Sequence, residues 1–231
     1  MDPESQSPLD ELRQARETDP RAGIRLGADS LVRRLIEALR DERGINADLL
    51  LLVLGSLAGY ACQQTVALVA IEDGIGIQMA FSTVEGADGR RYRLGDRLRY
   101  HLTEGPQSVW RGVSSMATAL GAQVDQLPNV GEIVSRVQDT VGQPGFAAIR
   151  YPAGHGAGLP ESEQVLQHFW PQWRGDLEVY APDPRDWPQL MTVAIRIAMD
   201  MAKGALAPGD AALIAMEAAV PMATVRLPDA A

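Results

Sequence analysis

Apolar residues recur at helical spacing along most of this chain. Leu31, Val32, Leu35, Ile36 and Leu39 line one face of a helix, and Arg33, Arg34, Glu37, Arg40 and Asp41 line the other. The pattern predicts a helix over 28–43 that stops at Gly44, after which Asn46 caps a second helix from Ala47. Val130, Ile133, Val134, Val137 and Val141 predict another helix behind Asn129. Further helices are expected from Pro8 (with Ser7 as cap) to the Asp19-Pro20 break, over 96–104, from Ser108 to Gly121, over 160–170, over 187–203, and from Pro208 to about Pro221. The proline-rich stretch 171–188 reads as an ordered surface connection.

The period changes to two between residues 74 and 94. Ile75, Ile77, Met79 and Phe81 alternate with polar or small residues. Gly86-Ala87-Asp88-Gly89 then predicts a turn, and Arg90 to Leu94 a returning strand with Arg91 and Arg93 on one face. A weaker strand signal lies over 146–151. The expected fold is a helix-rich α+β domain, mostly α-helical with one small antiparallel β element. It should occupy residues 8–225 as a single globular domain, between a disordered N-terminus over 1–7 and a frayed tail over 226–231.

The run Leu49–Ile71 holds no charge over its whole length, long enough for a membrane span. Gln63 and Gln64 are adjacent in this run, and the amphipathic helices around it need an apolar partner. A buried central helix is therefore the expectation, and membrane contact is not. Gly55 and Gly59 lie one turn apart on it, beside Ser56 and Ala58, and predict a close helix–helix crossing.

Charge narrows the partners. The 231 residues carry a net charge of −9, which repels nucleic-acid backbones at long range. Of the 21 cationic side chains only Lys203 is a lysine, a bias read here as bacterial origin. One cysteine, Cys62, excludes an internal disulfide and a multi-thiolate zinc site. The acidic, polar N-terminus lacks the features of a signal peptide, so a cytoplasmic location is expected.

Two features stand out chemically. Arg90, Arg91, Arg93, Arg97 and Arg99 fall within ten residues. Clustered guanidiniums suit phosphates or carboxylates, although Glu85, Asp88, Asp96 and Glu104 flank the run and can neutralise it. The loop Gly154-His155-Gly156-Ala157-Gly158 precedes a predicted helix start, where backbone amides can cradle an anion and His155 can act as acid or base. Its alternative role is structural. The histidines have no metal-ligand spacing, and no phosphate-loop or hydrolase signature is present, so neither a metal nor a cofactor is expected.

Two readings of function follow. One is a non-enzymatic protein acting through a protein partner or through itself. Surplus apolar helix surface and Trp170, Trp173 and Trp187 argue for a homodimer. The other is an enzyme or binding protein for an anionic small molecule or an acidic protein, built on Arg91, Arg93, Arg97 and His155.

Overall fold

The computed structural model describes residues 8–227. Its centre is the uncharged run. Helix α3 (Ala47–Glu72) begins where the Asn46 side chain accepts a hydrogen bond from the Leu49 amide at 3.1 Å. Leu51, Leu52, Val53, Leu54, Leu57, Ala58, Ala61 and Cys62 are fully buried on it. Four helices sheath α3: α2 (Ala22–Leu39), α8 (Ser162–Tyr180), α9 (Trp187–Ala202) and α10 (Pro208–Met222). The run is thus long and apolar enough to cross a membrane, and it lies buried inside the fold.

The crossing of α3 and α10 is set by small residues. A Cβ on Gly55 would stand 2.4 Å from the Ala215 carbonyl oxygen, and one on Gly59 would stand 2.0 Å from that of Ala219. Only glycine lets the backbones approach this closely. Alanines 211, 212, 215, 218 and 219 fill the α10 side, so α10 is buried nearly all round, alongside the expected α3 and α9.

The remaining elements lie around this core: α1 (Pro8–Thr18), α4 (Ile77–Ala80), α5 (Asp96–Arg99), α6 (Val109–Ala119) and α7 (Val130–Thr140). A five-residue π-helical turn, Tyr100–Glu104, follows α5 directly. The caps expected at Ser108 and Asn129 are present, the side chains accepting from the amides of Arg111 and Glu132. The expected Ser7 cap lies outside the described residues, as do residues 1–7 and the end of the expected tail. Within that tail, Leu227 packs on the core.

Strands β1 (Ser82–Glu85) and β2 (Arg91–Leu94) form an antiparallel hairpin, with Ser82 opposite Leu94 and Glu85 opposite Arg91. The molecule is a helix-rich α+β fold with one small antiparallel element.

Several sequence expectations are corrected. The alternating stretch before Phe81 is not strand: residues 77–80 form a helical turn, because β2 is only long enough to pair with 82–85. Residues 146–151 form turns and irregular backbone, with no strand partner. Helix α8 does not stop at Trp170 but runs through Pro171 to Tyr180. Burial of Trp170 and Trp173 on either side of the proline outweighs its local penalty. Helix α2 starts earlier than its periodic face implies and ends at Leu39.

A candidate anion-binding cleft

The arginines that are neighbours in sequence part company in space. Arg90 makes a two-pronged ion pair with Glu163 on α8, at 2.9 and 2.6 Å. Glu163 accordingly raises the Arg90 pKa above its ordinary value. Arg99 pairs with Asp96 and Glu104 in its own turn. Arg97 lies beside Tyr100 and His101 in a separate shallow cleft against α3. Arg91 is exposed on β2.

Arg93 is held differently. Its Nη1 donates to the Gln63 Oε1 at 3.2 Å, and its guanidinium lies 4.9 Å over the Phe81 ring. Gln63 is fully buried and donates to the carbonyls of Ala223 and Val225, at 2.8 and 2.9 Å. The fold thus fixes Arg93 at the wall of a cleft shared with Arg174 and Arg226, and Arg174 pairs with Glu178.

The His155 loop is elsewhere. Asp48, at the second position of α3, accepts from the Gly156 amide at 3.0 Å and lies 3.1 Å from His155 Nδ1. The backbone donor that an incoming anion would use is already bonded to this chain's own carboxylate. The loop is stapled to the α3 N-terminus, where the helix dipole favours that carboxylate. Beside it, burial first and the Asp48 charge second push the Tyr151 phenol up to about 12. Asp48 and Gln63 are fifteen residues apart on one helix, roughly 22 Å at 1.5 Å per residue. His155 and Arg93 therefore do not share a cleft, and the site composed of Arg91, Arg93, Arg97 and His155 is not assembled.

Another arginine group is assembled, from positions that are remote in sequence. Arg21, Arg25, Arg111 and Arg196 line a cleft of about 450 Å³ together with Ile24, Gln107 and Gln189. Helix α9 forms its floor through Gln189, Thr192, Val193 and Arg196. Helix α2 forms one wall, and the start of α6 with the preceding turn forms the other. The floor fits closely. A Cβ on Gly112 would stand 2.1 Å from Thr192 Cγ2 and 4.0 Å from Arg196 Cδ, so α6 rests on α9 with the Arg196 stem alongside.

Among the described residues no carboxylate lines this cleft. Arg25 pairs with Asp19 at 2.5 Å outside the lining. Arg21 faces Asp186, whose pKa is raised by burial and by Asp183 and is pulled back down by Arg21. The guanidiniums of Arg111 and Arg196 make no ion pair or hydrogen bond among the described residues. The first turns of α2, α6 and α9 carry no acidic residue, whereas those of α3, α7, α8 and α10 each do. The α2 and α9 starts are instead met from just before those turns, by Asp19, which accepts from the Arg21 amide at 2.8 Å, and by Asp186, the residue before α9.

Sequence reasoning missed this site because its arginines come from three distant segments of the chain. Arg21 and Arg25, one turn apart near the start of a helix, were the one local hint. No group of histidine, cysteine, aspartate and glutamate suited to a metal ion occurs among the described residues. No family model matches the chain, and no curated protein or solved structure matches it.

Proposed function

We propose that this protein binds an anionic small molecule in the cleft on α9, using Arg21, Arg25, Arg111 and Arg196. The supporting observation is that four arginines line one cleft with no carboxylate among the described lining residues, in a chain whose net charge is −9. Planar guanidiniums present paired donors that match phosphate and carboxylate oxygens. A volume of about 450 Å³ falls within the usual range for small-ligand sites.

The other reading is action through a protein partner or a second copy; Trp170, Trp173, Trp187 and, of Leu49–Leu54, all but Leu49 are buried within one chain, so other surfaces would have to carry it.

Melting with added pyrophosphate, phosphate or sulfate, against sodium chloride at equal ionic strength, tests the proposal. An anion at 100 times its dissociation constant adds about 2.7 kcal/mol to stability. The Arg111→Gln/Arg196→Gln double variant is expected to lose the anion-induced shift, and Arg91→Gln/Arg93→Gln to keep it. The reverse pattern would move the site to the hairpin.

A further inference from the structure

We infer that the second cleft, between α3 and the segment 96–104, binds a monocarboxylate with an apolar body, held by Arg97 and His101. This site is separate from the α9 cleft and does not rest on the reading of that cleft. Helix α5 and the π-helical turn that follows it both pack on α3. Leu98 and Leu102, one turn apart, are buried and fix which way the segment faces. Arg97 and His101 each precede one of these leucines, so they share the adjoining face. With Val66 and Val69 of α3, and with Asp96 and Tyr100, they line a cleft of about 380 Å³.

Two polar groups in this lining are left unanswered by the fold. Among the described residues the Arg97 guanidinium makes no ion pair or hydrogen bond, and neither ring nitrogen of His101 makes a hydrogen bond. The imidazole is partly buried, and burial holds its pKa below the ordinary value. It has given up hydration without gaining a protein partner. A carboxylate answers both groups: one oxygen accepts from the guanidinium fork and the other from the N–H of the neutral ring.

The charges favour a single carboxylate. Asp96 and Glu104 are engaged by Arg99, which leaves Arg97 as the cation of the cleft, with the Asp96 carboxylate in the same lining. A phosphate dianion would bring two charges to one guanidinium and meet repulsion from Asp96. The rest of the lining suits hydrocarbon. Val66 and Val69 offer no hydrogen-bonding group, and the Tyr100 ring, 52% exposed, has apolar surface still to be covered.

A nuclear magnetic resonance titration of the full chain near neutral pH tests this. It follows the His101 ring signal, assigned by its absence in His101→Gln. The probes are phenylacetate, acetate, 2-phenylethanol and phenyl phosphate, which vary the apolar body and the charge one at a time. Phenylacetate is expected to shift the signal saturably and to bind at least about tenfold more tightly than each of the other three. Arg97→Gln should weaken phenylacetate by about tenfold or more, with the other two histidine signals unmoved as a check on the fold. Arg111→Gln/Arg196→Gln should leave its binding unchanged. Acetate or 2-phenylethanol binding as tightly as phenylacetate would overturn the apolar or the charged half of the assignment. Tighter binding of phenyl phosphate would overturn the monocarboxylate class. Unchanged binding to Arg97→Gln, or a His101 signal that phenylacetate does not move, would overturn the site itself and leave the α9 cleft reading standing.

Discussion

The arginine run of the hairpin and the arginine group on α9 use the same side chain in different settings. At the hairpin, Arg90 faces Glu163, Arg99 faces Asp96 and Glu104, and Arg93 rests against an amide oxygen and an aromatic ring. Three of the five are thus answered within the chain, whereas the Arg91 and Arg97 side chains make no ion pair or hydrogen bond among the described residues. On α9, four arginines from three segments line one cleft with no carboxylate among the described lining residues; Arg25 pairs with Asp19, and the Arg111 and Arg196 guanidiniums have no partner among the described residues. Density of charge along a sequence is therefore a poor guide to density of charge in space. What marks a ligand site is charge that the fold concentrates and leaves uncompensated.

The largest expected effect comes from disturbing the floor that brings the second group together. Gly112→Val would drive a branched side chain into Thr192, and overpacking of this kind costs about 1–3 kcal/mol. Chemical denaturation should show that loss together with weakened anion binding. A variant of unchanged stability would mean that the α6–α9 contact does not set the cleft.

Next is the hairpin. Arg90→Gln removes a two-pronged pair with Glu163, whose side chain is only 21% exposed. A loss of about 1 kcal/mol is expected, at the upper end for a surface pair. In contrast, Arg111→Gln/Arg196→Gln should leave the ligand-free protein within about 0.5 kcal/mol of the parent, or slightly more stable, because it relieves repulsion without breaking a pair. Equal losses in the two experiments would erase the distinction between the regions.

The smallest effect concerns His101, which lies with Arg97 in the shallow cleft against α3. Burial holds its pKa below the ordinary value of about 6.5. The folded state favours the neutral ring, so its contribution is complete above the unfolded pKa. It is lost as pH falls from there through the lowered folded value. Stability should decline from about pH 7 toward pH 5, and His101→Gln should flatten part of that slope. An identical slope in the variant would mean that His101 does not carry it.

Much of this molecule follows from local rules. Periodic apolar residues marked the major helices. Asn46, Ser108 and Asn129 marked helix starts, because a short polar side chain before an apolar face has few better roles. Gly55 and Gly59 announced a close crossing, and α10 fits against them. Expectations failed where a distant partner decided the outcome. Alternation before Phe81 could not become strand without a longer β2, and Pro171 could not end α8 once Trp170 and Trp173 were buried beside it.

By itself, the sequence determined a helix-rich fold around an uncharged central helix, an acidic balance, and the location of the small hairpin. These depend on hydrophobic period and composition, which act over a few turns of chain. Only the tertiary structure decided which arginines are paired and which are gathered, and that His155 is tied to Asp48. Ion pairing depends on distances of a few ångströms between residues separated here by up to 142 positions, from Arg34 to Asp176. Such distances are fixed by helix packing, and no local pattern in the chain encodes them.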